Sequence, residues 1–257
     1  MTGVIYTVNG SDALNKRQTV TSRGTGMTHW SAEFFGPRDT TMGPDHPAAL
    51  LPHALVTDMA AGETILPHFH GVAQFQIFSG GAGSMGRHQL RPLMVQFKDH
   101  HAAYGPVVAG PQGLTFFAMR MQALNSAPVY LDKPGYREKL KPSRRRNLVS
   151  PPLVLSTPPV LASRSTAAWE AVYPESYDDG LSAQLLRLGR GMTVMSPSPQ
   201  RSGGLYLFVV NGSLEYAQTQ WPLWSMLALD HTADAVAIGG GATGLELLVL
   251  EFPHETT

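Results

Sequence analysis

The chain has no cysteine. Disulfides, thiolate metal sites and cysteine nucleophiles are therefore excluded together. Charge is scarce as well: Asp, Glu, Lys and Arg make up 15% of the 257 residues, and 19 basic residues balance 19 acidic ones. With a formal net charge of +0 there is no global field to recruit nucleic acid or an anionic membrane surface. No apolar run approaches the roughly 20 residues that a membrane-spanning helix needs. The N-terminus has no basic stretch followed by an apolar one, so the expectation is a cytoplasmic protein without a leader. Glycine and proline, by contrast, are plentiful, with 26 and 20 residues, and 43% of the chain is hydrophobic. Such a composition suits a globular all-β chain with many turns.

The most informative segment is residues 62–81, Gly-Glu-Thr-Ile-Leu-Pro-His-Phe-His-Gly-Val-Ala-Gln-Phe-Gln-Ile-Phe-Ser-Gly-Gly. His68 and His70 are two apart, which puts both side chains on the same face of a strand. Neutral imidazole is the commonest protein ligand for a borderline transition metal, so this pair is placed to hold one ion. Phe75 and Ile77 read as the next strand, ending in a turn at Gly80-Gly81.

Gly62, His68, His70 and Gly81 fall on the first signature of the cupin superfamily, with Gln74 where that family usually has glutamate. The segment resembles that signature in both residue types and spacing. The resemblance implies a double-stranded β-helix, or jelly-roll, barrel holding one divalent transition metal (Fe, Mn, Ni or Zn).

A second copy of this pattern lies downstream. Gly62 maps onto Gly191, an offset of 191 − 62 = 129, while Gly81 maps onto Gly212 and Gly113 onto Gly244, each at 131. Asp99-His100 falls on Asp230-His231 at the same offset of 131. Landmarks repeating at one period indicate internal duplication. In the second half Leu205–Val210 reads as a strand followed by a tight turn at Asn211-Gly212. The whole chain resembles a bicupin, with two barrels in tandem. The expected division is residues 1–131 for the first barrel, 132–150 for a linker and 151–257 for the second. Residues 132–146 carry seven basic residues against two acidic, a net +5, and prolines at 134 and 142 interrupt them. This segment reads as a solvated linker rather than a nucleic-acid patch. Helical signals are few: Ser165-Thr166 capping Ala167–Val172, and a weaker one over Ser11–Arg17.

Where the first half has Pro-His68-Phe-His70, the second has Ser-Pro197-Ser-Pro199. Proline has no side-chain donor atom and no backbone N–H, so the second barrel has lost its ligands. In the first barrel two histidines are too few for a catalytic metal, which usually has three protein ligands and an open position. The resemblance implies a third histidine on a neighbouring strand, and the candidates are His100 and His101. The family spacing favours His100, with Tyr104 in place of the usual Asn. The repeat pairs His100 with His231 and so favours His101. Gln74 is a further candidate ligand, or with Gln76 a hydrogen-bond donor to a ligand or substrate. Tyr104 is the candidate catalytic base or donor, the alternative being a core aromatic. His29, His46, His53, His88 and His254 read as ordinary surface or core residues. The resemblance implies metal-dependent chemistry on a small enolic, catecholic or carboxylate molecule. Dioxygenase-type reactions lead, with isomerase or lyase chemistry next, and a non-catalytic binding or structural bicupin is the alternative class. Such barrels often pair through exposed strands into homodimers.

Overall fold

Short runs rich in Val, Leu, Phe and Thr, cut by Gly, Pro and Asn, form strands because branched and aromatic side chains fit a pleated, half-buried surface. The computed structural model describes residues 3–21, 26–38 and 40–254. The chain opens with β1 (Ile5–Val8) and one helical turn, α1 (Gly10–Leu14). Eleven strands follow: β2 (Gln18–Thr21), β3 (Thr28–Phe35), β4 (His53–Met59), β5 (Thr64–Ile65), β6 (His68–Phe69), β7 (Gln74–Met85), β8 (His88–Leu90), β9 (Val95–Lys98), β10 (Val107–Arg120), β11 (Val129–Tyr130) and β12 (Asn147–Val149). Helix α2 (Pro158–Ala162) precedes β13 (Ala168–Ala171), β14 (Ser182–Leu188), β15 (Thr193–Met195), β16 (Leu205–Tyr216), β17 (Thr219–Trp221), β18 (Met226–Leu229) and β19 (Ala237–Glu251).

These elements form two units. Residues 16–153 make one; of the described residues, 3–15 and 154–254 make the other. In the first unit the antiparallel order is β12-β9-β7-β10-β4-β3-β2, with β5 on β10 and β8 on β7. In the second it is β1-β18-β16-β19-β14-β13, with β15 on β19 and β17 on β16. The orders correspond strand for strand from β9-β7-β10-β4 to β18-β16-β19-β14. Each is an all-β jelly roll.

The register carries the repeat to single residues. Gln74 faces Lys98 and Gln76 faces Gln96, while Leu205 faces Leu229 and Leu207 faces Leu227. Each pair is its counterpart moved by 131, since 205 − 74 and 229 − 98 both equal 131. The inner row of the first barrel is thus two glutamines, a third glutamine and a lysine where the second barrel has four leucines. In the second unit those leucines are wholly buried in a continuous apolar core with Leu186, Leu247 and Val249. The first unit's apolar core sits around Met59, Phe78, Met85, Leu114 and Phe116.

Two expected turns are bends within strands. β7 runs through Gly80-Gly81 and β16 through Asn211-Gly212, each with a shift of register against its partner strand. Gly81 (φ +66°) and Gly212 (φ +72°) are left-handed, and a Cβ there would lie 2.2 Å from the Gly113 oxygen and 2.1 Å from the Gly244 oxygen. Only glycine relieves both constraints. The helix expected at Ala167–Val172 is instead β13, because Ala168–Ala171 pairs with Gln184–Arg187 of β14 and Glu170 forms an ion pair with Arg187. Sheet pairing overrides the local helical signal. The helix in that region is α2, started by Pro158 at its first position. The helix expected over Ser11–Arg17 is the shorter α1, capped by the Asn9 side chain accepting from the Ser11 and Asp12 amides. Among the described residues no helix is long and apolar enough to cross a membrane.

Candidate functional site

A cavity of about 840 Å³ opens in the first barrel, and all its lining residues belong to residues 16–153. Its walls are apolar, with Met27, Leu55, Ile65, Val107, Phe116 and Val129 among them. Its polar lining includes the buried His53, His68, His70, Gln76, Tyr104 and Arg120, besides His29, several Ser and Thr, and a Glu33–Arg38 ion pair. The segment after Asn125 crosses over this cavity. β11 pairs with β6, the Leu131 amide donates to the Pro67 carbonyl at 3.0 Å, and Lys133, Tyr136 and Lys139 contribute to the lining.

β6 is only two residues long, yet it fixes both histidines. His68 and Tyr104 exchange backbone hydrogen bonds of 3.0 Å in each direction, which brings the tyrosine ring to the His68 imidazole. His68 Nδ1 lies 2.7 Å from the Leu66 carbonyl, and His70 Nδ1 lies 2.7 Å from the Ser126 carbonyl. A carbonyl only accepts, so both Nδ1 atoms carry the proton and both Nε2 atoms present a lone pair. Those lone pairs converge on the Tyr104 hydroxyl, at 2.9 Å from His68 and 3.3 Å from His70. The hydroxyl has one proton, which goes to the nearer ring, His68.

Gln74 and Arg120 complete the network. The Gln74 amide nitrogen donates to the Tyr104 oxygen at 2.7 Å, and its Oε1 accepts from an Arg120 terminal nitrogen at 2.8 Å. The same guanidinium nitrogen donates to His70 Nε2 at 3.4 Å, and the other donates to His53 Nδ1 at 3.0 Å. Guanidinium cannot accept, so the remaining proton of neutral His53 is on Nε2. Among the buried polar atoms, His53 Nε2 and Gln76 Oε1 have no hydrogen-bond partner. Arg120 ends β10 and pairs in register with His53 of β4. Beside this cluster, Lys98 Nζ donates to the Ala103 carbonyl at 3.2 Å and sits 4.6 Å from the centre of the Tyr104 ring.

Burial and the guanidinium together set the protonation of the site. Burial pushes His53 down to about 3, with Arg120 adding to the effect. His68 is pushed down to about 4, again chiefly by burial, against the opposing pull of the Leu66 carbonyl. Burial and then Arg120 hold His70 well below the usual imidazole range. Burial raises the Tyr104 phenol to about 12, against the pull of Arg120 and Gln74. At neutral pH the rings and the phenol are neutral; the charge within the cluster is the Arg120 cation, and beside it Lys98, lowered by burial to about 8, is still mainly protonated.

Of the residues singled out in the sequence, His68, His70, Gln74 and Tyr104 meet at one point. His100 and His101 do not join them. They occupy a turn rather than a strand, with His101 left-handed at φ 55°. Their Nδ1 atoms face each other at 2.7 Å, and the His101 ring packs on Phe69. His53 and Arg120, read as ordinary or passed over in the sequence, are part of the cluster, and Gln76 lines the same cavity. The repeat carries the signal that finds Gln76, because its counterpart in the second barrel is Leu207. Through the register of β4–β10 and β14–β19, His53 and Arg120 correspond to Ser182 and Glu251.

The fold raises the question of whether these groups suit a divalent metal. The two carbonyl-anchored histidines have the tautomer that a metal ligand takes. The remaining groups are unsuited. The phenol is protonated, the Gln74 amide nitrogen rather than its oxygen faces the meeting point, and a guanidinium cation donates to His70 Nε2. No cluster of three or more His, Asp or Glu side chains able to hold a metal occurs among the described residues. As arranged, His68, His70, Gln74 and Tyr104 are paired with one another and with Arg120, and the group does not fit a resident divalent cation.

No protein-family model matches the chain, and no curated protein does. Solved structures do. The chain is similar to a putative dioxygenase from Nostoc punctiforme, with a TM-score of 0.61 and 10% identity over 100% of this chain and 85% of the other. It is similar to the pirin YhhW from Escherichia coli in complex with nickel(II), with a TM-score of 0.55 and 11% identity over 97% and 99% of the two chains. It also matches quercetin 2,3-dioxygenase from Acinetobacter baumannii, with a TM-score of 0.52 and 13% identity over 99% and 80%. Identities this low establish the fold alone. The likeness is one of fold: this chain shares with these proteins an all-β architecture of two jelly-roll units.

Proposed function

We propose that the first barrel binds, and acts on, a small organic acid of the enolic, phenolic or simple carboxylate kind. One observation carries this reading: a buried guanidinium stands among neutral hydrogen-bonding groups beneath a cavity with apolar walls. A cation at the polar end and hydrocarbon along the sides match a molecule with one anionic end and an apolar body. Lys133 and Lys139 along the cavity lining give the approach the same sign. Calorimetric titration with a panel of aromatic and aliphatic carboxylates tests it. Binding is expected in the micromolar to millimolar range, weakened by roughly tenfold or more in Arg120→Met, since a charge-assisted hydrogen bond contributes about 1.5–3 kcal/mol. Absence of binding by every acid in the panel would overturn the proposal.

A metal-dependent reaction, dioxygenase-type in its specific form, is the second reading. It is supported by the His68 and His70 tautomers and by the nickel(II) and dioxygenase descriptions of proteins with this fold. It requires Tyr104 and Arg120 to give up their contacts with the two rings. About one tightly bound metal ion per chain by elemental analysis, lost in the His68→Ala, His70→Ala double variant, would decide for it. Oxygen uptake with phenolic and enolic acids would then follow.

A further inference from the structure

Several residues of the cavity lining carry a buried polar atom without a hydrogen-bond partner, His29 among them, and two of these, His53 and Gln76, narrow which acid fits. His53 and Gln76 are 3% and 4% exposed, both line the cavity, and neither His53 Nε2 nor Gln76 Oε1 has a partner within the protein. Buried polar atoms are nearly always paired, so an orphan donor and an orphan acceptor on two residues that line one cavity point to a ligand that supplies the opposite of each. Their characters follow from their partners. Arg120 donates to His53 Nδ1, which leaves Nε2–H as a donor backed by a positive charge. Gln76 Oε1 can only accept.

The sheet places them on one inner face. β10 lies between β4 and β7; Arg120 pairs with His53 on one side, and Ala118, two residues earlier on the same face, pairs with Gln76 on the other. The small Ala118 side chain leaves space between the two polar groups, and it too lines the cavity. We infer that the first barrel recognises a hydroxy acid. The ligand carboxylate accepts from His53 Nε2–H, backed by Arg120, and a hydroxyl or enol O–H of the same molecule donates to Gln76 Oε1. This inference rests on the organic-acid reading above and narrows its ligand class. The second barrel has Ser182 and Leu207 at the corresponding positions, so it lacks both halves of the arrangement.

The test compares benzoate with its 2-, 3- and 4-hydroxy derivatives, using calorimetry and the nitrogen-15 resonances of the histidine rings. At least one hydroxybenzoate is expected to bind roughly tenfold more tightly than benzoate, as fits one hydrogen bond to an otherwise unpaired buried acceptor. The best isomer reports the spacing. All binders are expected to shift the His53 Nε2 resonance. Gln76→Leu, which installs the second barrel's own residue, is expected to erase the preference while benzoate still binds; Gln76→Met serves if that variant misfolds. A hydroxyl preference that survives either folded variant would overturn the inference. So would equal binding of all four acids by the wild type, or a His53 resonance unmoved by any of them. If other acids bind while these signs fail, the hydroxy-acid assignment falls and the organic-acid reading stands. If no acid binds, both fall.

Discussion

At the scale of single residues, the site is governed by where the protons sit. Four hydrogen-bond partners fix them: the Leu66 and Ser126 carbonyls, the Arg120 guanidinium and the Tyr104 hydroxyl. Holding His68 at about 4 and His53 at about 3 has a consequence for stability. In the unfolded chain both rings titrate near 6.5. Between that value and the folded ones the native state binds fewer protons than the unfolded state, so stability is complete above about pH 6.5 and falls as the pH drops towards 4. His68 alone accounts for roughly 3 kcal/mol across that window. Urea unfolding midpoints at pH 7 and pH 4.5 measure this, with a clear drop expected and a smaller one in His68→Gln. Midpoints that do not change would show that the rings are not buried neutral. His68, His70, Gln74 and Tyr104 were legible because they lie in one signature or one short stretch after it. His53 and Arg120 were not, since 67 residues separate partners that meet only through the β4–β10 register.

At the scale of elements, the bent strands β7 and β16 shape each barrel, and a left-handed glycine against a neighbouring carbonyl sets each bend. Replacing Gly81 or Gly212 with alanine would impose a strained backbone costing about 1–3 kcal/mol, besides the contact with the facing oxygen. Denaturant midpoints should fall clearly for both; a change below about 0.5 kcal/mol in either would contradict the assigned role. These glycines were visible in the sequence as repeat landmarks, but they read as turns because Gly-Gly and Asn-Gly punctuate hairpins more often than they bend strands. β13 was misread for a related reason. Ala167–Val172 has helix-forming residues behind a Ser-Thr cap, and only pairing with β14 makes its central residues a strand. The crossing segment after Asn125 shows the limit of composition as a guide: residues with the charge of a solvated linker contribute Lys133 and Lys139 to the cavity lining.

At the scale of the whole molecule, a duplicated fold has two different interiors. The duplication was readable from four landmarks at nearly one offset, since glycine geometry and turn chemistry recur with the fold, while the common strand order came only with the structure. The difference in interior was equally present in the sequence, as Gln74, Gln76, Gln96 and Lys98 against Leu205, Leu207, Leu227 and Leu229. Only the register shows that these residues face one another. A barrel filled with leucine is specified by packing, whereas a polar inner row beside a cavity carries a desolvation cost, and the proposed function places the binding site in that first barrel. The central claim is that this barrel holds an organic acid with a guanidinium, rather than a metal, as its fixed cation. The most direct test is titration of the best-binding acid into protein stripped with a chelator, with metal content measured on the same sample. The claim predicts undiminished affinity at metal far below one ion per chain. Affinity lost on stripping and restored by about one equivalent of a divalent metal would contradict it.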